Sequence, residues 1–342
     1  MKPDEVPDVK KFITTSLYFI LFFILISIAI TALPLKVFYN YKENYKVNKS
    51  ISEQFNNNSI VVGYSLSEEK ELYKLNMINI KQPELLILGS SRMMQISCDH
   101  FDKSCYNAGG IITVAKDYNL VLDRIETLPE IVIISLAPNY FNTNNPYKQT
   151  IEKKLKEKYG ILTFRDSIML TYRYLLTKNL SINYKNNIGL NGIINNQGYR
   201  FDGTYQYKTK THNNFSKSLN YIKNDKDIFT RGDFDIEFFK DFEKFIIRLN
   251  NQNIKIIGII PPVATVVYTE LNKERESYGH IFDQDQYLKS LLQYENFEYY
   301  DFFDINSHGF SDDHCIDGLH LNSTYSDYMI NHIKSAKIGT FI

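Results

Sequence analysis

The sequence predicts an α/β protein: a doubly wound parallel sheet with an inserted cap region, preceded by one N-terminal transmembrane helix. Three observations carry this. Apolar runs at Leu85–Leu88, Ile131–Leu136 and Ile254–Ile260 read as strands buried on both faces, with helical patterns between them. The strand–helix rhythm breaks between Phe141 and Asp233, so an insertion is expected at about 141–233. From Phe12 to Leu35 no residue is charged, which is enough chain to cross a bilayer.

The 342 residues suffice for one large domain with an insertion. Lys and Arg (39) balance Asp and Glu (39), so no basic excess points to nucleic acid. Three cysteines, Cys98, Cys105 and Cys315, cannot all pair within one chain.

Taken in order, residues 1–11 form a charged terminus expected on the cytoplasmic side, and 12–35 an uncleaved signal anchor. The anchor shows no polar face, as a soluble core helix would. A cleaved signal peptide is the rival, but its apolar region runs to about 7–15 residues before a small-x-small site. Here the run is longer, and only Thr31-Ala32-Leu33 resembles such a site. Lysines before the span (Lys2, Lys10, Lys11) and after it (Lys36, Lys42, Lys46, Lys49) nearly balance, so charge does not orient it. An extracytoplasmic domain is expected because lone amino-terminal anchors commonly tether exported domains. The close pair Cys98 and Cys105, a candidate disulfide, also suits an oxidising compartment; two unpaired thiols are the alternative.

Residues 36–59, rich in Asn and Lys, read as a stalk, and 60–342 as the folded domain. After the opening strand, Ser104–Asn107 reads as a short second strand and Thr113–Thr127 as a helix stopped by Pro129. The insertion holds helical pieces at Ile151–Lys158 and Thr163–Thr177 and the Gly-rich stretch Gly198–Tyr205. A helix is then expected over Asp235–Asn251, a strand over Ile254–Ile260, a helix over Gln284–Gln293, a last strand over Tyr299–Phe302 and a closing helix over Ser323–Lys334.

Two short motifs carry the chemistry. Gly89-Ser90-Ser91-Arg92 ends the first strand and opens what reads as a short helix, Arg92–Ile96. Open α/β sheets put their ligand crevice at that edge, and helix-start N–H groups favour a developing negative charge. Asp317-Gly318-Leu319-His320 follows the last strand and so falls on the same edge. An Asp three residues before a His suits a tight turn in which the carboxylate holds one imidazole nitrogen and the other faces a serine. Alone, Ser91 reads as a helix N-cap; with Asp317 and His320 it reads as a nucleophile, with Ser90 the fallback. Gly109 and Gly110 serve either a turn or an oxyanion hole. Arg92 reads as the half of an ion pair supporting the loop, or as an anion binder. Asp312, Asp313, His314, Cys315, Asp317 and His320 suit zinc by residue type but lack its usual ligand spacing, so no metal and no cofactor is expected.

These blocks resemble the SGNH (GDSL-like) hydrolase superfamily. Gly89-Ser90-Ser91 fits its Gly-x-Ser block, with Ser91 as nucleophile; Asn107-Ala108-Gly109-Gly110 looks like the block that supplies a backbone N–H; and Asp317-Gly318-Leu319-His320 fits its Asp-x-x-His. Its Gly-x-Asn-Asp block is met in Ala137-Pro138-Asn139-Tyr140 at Asn139 only. The resemblance spans about Glu84 to Lys334, with the middle third unmatched. It implies a three-layer α/β/α, flavodoxin-like domain with Ser91, Asp317 and His320 catalytic and an oxyanion hole of Ser91, Gly109, Gly110 and Asn139. The Gly-Ser-Ser form on a single anchor is closer to the branch resembling the D-alanyl-transfer protein and the partners of membrane-bound O-acyltransferases. That implies an extracytoplasmic esterase or acyltransferase acting on acyl groups of a cell-envelope glycan, with an acyltransferase as candidate membrane partner. The alternative is a degenerate fold that binds a surface polysaccharide or such a partner without chemistry.

Overall fold

A computed structural model describes residues 9–65, 70–146, 151–156, 169, 172, 182–207 and 214–335. Seven strands are present among them: β1 (Leu85–Gly89), β2 (Cys105–Gly109), β3 (Ile131–Ser135), β4 (Gly198–Tyr199), β5 (Tyr205–Gln206), β6 (Lys255–Ile260) and β7 (Phe297–Asp301). Five form one sheet in the order β2-β1-β3-β6-β7, all parallel, and β4 and β5 form a small antiparallel hairpin. The three central strands read Leu-Leu-Ile-Leu-Gly, Ile-Val-Ile-Ile-Ser and Lys-Ile-Ile-Gly-Ile-Ile, and all but Lys255 is buried. Continuous apolar sequence is what a strand covered on both faces requires.

The chain steps from β1 outward to β2, then crosses back to β3 on the other side of β1. The order therefore reverses at β1 and β3, whose carboxyl ends flank a crevice. Gly89 ends β1 there because a Cβ would stand 2.4 Å from the Ser135 Cβ of β3.

Helices follow the apolar periodicity where it is strong. Ile236–Asn250 buries Phe239, Phe242, Phe245, Ile246 and Leu249, and the Asp235 side chain caps it by accepting from the N–H groups of Glu237 and Phe238. Ser323–Ser335 closes the chain as expected. The helix expected over Thr113–Thr127 is α-helical only over Asp117–Leu122, and the Asp117 carboxylate accepts from the N–H groups of Thr113 and Val114 in the turn before it. Gln284–Gln293 is α-helical to Leu288 and 3₁₀ beyond. Among the helices with no counterpart in the sequence reading are Lys70–Lys81, Ser216–Lys223 and Thr265–Lys273. Of the helical pieces in the insertion, Ile151–Lys156 is present, and Thr163–Thr177 lies outside the described residues save Met169 and Tyr172.

Val9–Asn40 is one 32-residue helix, long and apolar enough to span a membrane, and its side chains from Phe12 to Ile30 are largely exposed. Most of the terminus at 1–11 lies outside the described residues. Residues 36–59 correct the expectation of a stalk. Val37 and Tyr41 pack against Leu190, Ile193 and Ile194 in a small core of their own. The helix Val47–Asn56 sinks Val47 and Ile51 into the main core, with Gln54 bonded to the carbonyls of Ile60 and Tyr199. Its polar composition hid a narrow apolar stripe at helical spacing.

The insertion is likewise part of the domain at one end. Edge strand β2 is covered: Asn107 N–H donates to the carbonyl of Asp202 (2.8 Å), and the buried Lys74 Nζ donates to the carbonyls of Asn107 and Gly203 (both 2.8 Å). Gly203 permits this approach, since a Cβ there would lie 2.2 Å from the Asn107 carbonyl oxygen.

Candidate active site

Ser90 and Ser91 leave β1 into a single 3₁₀ turn, Ser91–Met93, rather than the helix expected over Arg92–Ile96. One turn has no macrodipole of consequence, so stabilisation of negative charge here falls to individual N–H groups. Ser90 occupies the cap position and its side chain accepts from the Arg92 N–H (3.4 Å). Ser91 stands free of that duty.

The turn is clamped from β2. The fully buried Asn107 amide donates to the carbonyls of Met93 (2.9 Å) and Ile96 (2.8 Å) and accepts from the Gly109 N–H (2.7 Å). A disulfide between Cys98 and Cys105 ties the same segment to the start of β2, and the Tyr205 N–H of β5 donates to the Met94 carbonyl (2.8 Å). Asn107 and Tyr205 are positioning residues that sequence reasoning passed over; an Asn in a short strand, two residues before paired glycines, was the signal for the first.

Across the crevice, Asp317–His320 forms the tight turn its spacing suggests. Asp317 Oδ1 accepts from the N–H groups of Leu319 (2.8 Å) and His320 (2.9 Å), and the carboxylate meets His320 Nδ1 at 3.0 and 3.1 Å. Gly318 packs so closely on Ser218 that a Cβ would lie 2.3 Å from its hydroxyl. His320 Nε2 then lies 2.9 Å from Ser91 Oγ. Burial alone would raise the Asp317 pKa, but the His320 hydrogen bond and charge and the two backbone N–H groups outweigh it and hold the carboxyl at about 2. With Nδ1–H donated to this carboxylate, Nε2 is left as the acceptor toward Ser91.

The other expected site residues separate. Gly109 N–H is engaged by the Asn107 side chain, and Gly110 N–H donates to the carbonyls of Gly89 (2.8 Å) and Ser90 (3.0 Å). Neither glycine offers its N–H to an oxyanion here, which corrects that expectation: Gly110, with φ of 91°, serves the turn. Ser91 N–H has no acceptor among the described residues. Asn139 follows β3 in a 3₁₀ turn and lines the crevice; its Oδ1 accepts from Arg92 Nη2 (3.4 Å), so its NH₂ is what it can present there. Arg92 also donates to the Pro261 carbonyl (3.3 Å) and, among the described residues, pairs with no carboxylate, so the expected ion pair is absent.

The crevice has a volume of about 1030 Å³, and Ser91, Asn139, Asp317 and His320 line it. Part of its wall comes from chain the motifs did not point to: Lys70 ahead of the sheet, and Asn214, Lys217, Ser218, Tyr221 and Asp227 from the insertion. Tyr207 stacks at a tilt 5.9 Å from the His320 ring. The residues that suggested zinc do other work: Asp312 accepts from the N–H groups of Thr265 (2.5 Å) and Val266 (3.2 Å) at a helix start, and the thiol of buried Cys315 is pushed up to about 12 by its burial. Among the described residues no three His, Cys, Asp or Glu side chains converge as metal ligands. Compared with known proteins, the chain matches no family model and no solved structure.

Proposed function

We propose that the protein is a serine esterase or O-acyltransferase of the SGNH type, with a three-layer α/β/α domain held outside the cytoplasm by the helix Val9–Asn40, acting on acyl groups of a cell-envelope glycan. The observation that carries the reading is the chain of contacts from Ser91 Oγ through His320 (2.9 Å) to Asp317 (3.0 Å). His320 Nε2 takes the Ser91 proton as Oγ attacks the ester carbonyl. Ser91 N–H and the Asn139 NH₂ hold the oxyanion, a smaller hole than the motifs suggested. His320 returns the proton to the departing alcohol oxygen, leaving an acyl-serine. Water then gives an esterase, and a second sugar hydroxyl gives a transferase.

The test is hydrolysis of 4-nitrophenyl acetate by the full chain beside Ser91→Ala and His320→Ala. Both substitutions are expected to lower kcat by about 10⁴-fold. Activity that survives Ser91→Ala would refute the assignment. The engaged N–H groups of Gly109 and Gly110 favour one second reading, a fold that binds an acylated glycan or a membrane acyltransferase without turnover. A wild type inert on every ester, yet retaining the glycan, would establish that reading instead.

A further inference from the structure

Among the described arginines, Arg92 is the one that lines the crevice. Away from it, Arg231 pairs with Glu274 (2.6 Å) and Arg248 with Asp123 (2.8 Å), and Arg124 and Arg200 meet the Leu120 carbonyl (2.9 Å) and Gln206 Oε1 (3.0 Å). Arg92 lines the crevice, where burial pushes its pKa down to about 10. The only hydrogen-bond partners of its guanidinium among the described residues are two neutral oxygens at long range, of Pro261 (3.3 Å) and Asn139 (3.4 Å). A guanidinium carries five N–H donors, so three are unspent. Of the two carboxylates in the crevice wall, Asp317 is committed to His320, and neither it nor Asp227 pairs with Arg92. Lys217, on the same wall, faces only the Tyr221 ring, 5.4 Å from its centre, and has no carboxylate partner among the described residues. Desolvating a cation without a counter-charge is costly, and a fork of planar donors matches carboxylate and phosphate oxygens. Arg92 directly follows Ser91, so an anion on it lies beside the ester under attack.

We propose that Arg92 is an anion-binding residue of the crevice, and that the substrate is an ester carrying its own carboxylate or phosphate next to the scissile bond. The substrate class thus deepens the esterase reading and rests on it. The charge resides either on the acyl group or on the alcohol it leaves.

Two matched ester pairs separate these sources: mono-4-nitrophenyl succinate against its methyl ester, and 4-acetoxybenzoate against methyl 4-acetoxybenzoate. The full chain is expected to favour the charged member of one pair in kcat/KM. Arg92→Gln is expected to lower that preference about 10- to 100-fold, the loss of a charged hydrogen bond, and Arg92→Lys to restore much of it. The preference ratio isolates this role, because a loss of Asn139 positioning slows both members alike. Ratios that Arg92→Gln leaves unchanged overturn the proposal. If the wild type hydrolyses none of the four esters, the esterase reading fails on its own, and calorimetric titration with succinate and inorganic phosphate decides the anion site. Binding to wild type that Arg92→Gln abolishes supports it; no binding, or equal binding, refutes it. Should Arg92→Gln fail to fold, phenylglyoxal labelling of Arg92 in the wild type, read by peptide mass spectrometry, answers the same question. Slower labelling with succinate or phosphate present is the supporting result, and unchanged labelling the refuting one.

Discussion

Ser90 and Ser91 are the same side chain in adjacent positions, and hydrogen bonding gives them different duties. Ser90 accepts from the Arg92 N–H, the work of a cap, while Ser91 meets His320. Ser90→Ala is therefore expected to cost about 1 kcal/mol of stability at most and to retain most turnover; a loss in turnover equal to that of Ser91→Ala would reverse the two assignments. Asp317 supports a second prediction at this scale. Its carboxyl sits at about 2, below its ordinary 3.8, so the folded state binds its proton less readily than the unfolded chain. The resulting stability is complete above about pH 4 and is lost as pH falls through about 2. Its side chain is 44% exposed, and solvent screening reduces the contribution to about 1 kcal/mol. Denaturant melts of wild type and Asp317→Asn should thus converge between pH 4 and pH 2; a gap that stays constant over that range would show that Asp317 does not contribute through its charge. The motif residues were legible because their chemistry is local: Asp317 and His320 are three apart in one turn, and Ser91 ends a strand that its apolar sequence announces. The use of the glycine N–H groups was not legible. Whether Gly109 N–H is spent depends on the rotamer of Asn107, and that rotamer follows from carbonyls of Met93 and Ile96 on another strand's exit turn.

At the scale of elements, the nucleophile turn is too short to hold itself. Three separate ties fix it: Asn107, the Cys98–Cys105 disulfide and the backbone of β5. Asn107→Ala would leave the Gly109 N–H without its partner, at about 1–3 kcal/mol, and would leave the Met93 and Ile96 carbonyls only the Ile96 N–H (3.2 Å) and the Thr204 hydroxyl (3.5 Å) as donors. The disulfide closes a loop of sequence separation 7, and so short a loop contributes about 2 kcal/mol. Paired Cys98→Ser and Cys105→Ser substitutions should lower stability by about that amount while KM for a small ester changes little. Asn107→Ala should lower kcat as well, because it frees the backbone on which Ser91 sits. A kcat unchanged in Asn107→Ala, with stability lost, would make Asn107 structural alone. Sequence pattern located elements whose periodicity is strong and local, the sheet strands and Ile236–Asn250 among them. It overran at Thr113–Thr127, where the segment ahead of Asp117 is a turn whose N–H groups at Thr113 and Val114 are satisfied by the Asp117 carboxylate. It underran at Val47–Asn56, whose few apolar residues are diluted by Asn, Lys, Ser and Glu on the outer face.

At the scale of the whole molecule, the consequence of those misread residues is mechanical. A flexible stalk would let the crevice wander relative to the apolar helix, whereas here the helix Val9–Asn40 enters the domain directly. Val37 and Tyr41, in and just beyond its last turn, are buried against the helix Leu190–Asn195, and the Lys42 ammonium binds the carbonyls of Lys185, Asn186 and Asn187. Glu43, almost fully buried, accepts from the N–H groups of Ser65 and Leu190. If Val9–Asn40 spans a bilayer as proposed, the crevice is held at one height and orientation above it, which suits a polymer presented at the membrane surface. The boundary of the domain then lies near residue 36 and not near residue 60. A chain of residues 36–342 keeps Val37, Tyr41, Val47, Ile51 and Gln54, and should be monodisperse in gel filtration with a single cooperative melt. A chain of residues 60–342 opens two pockets by removing Val47 and Ile51 from the main core and Val37 and Tyr41 from the smaller one. Each large apolar side chain lost from a core costs about 2–5 kcal/mol, and together they approach the whole of a domain's stability, about 5–15 kcal/mol. That shorter chain should aggregate or melt far below the longer one. Equal melting of the two would restore residues 36–59 to a tether, and with it a crevice free to range along the membrane.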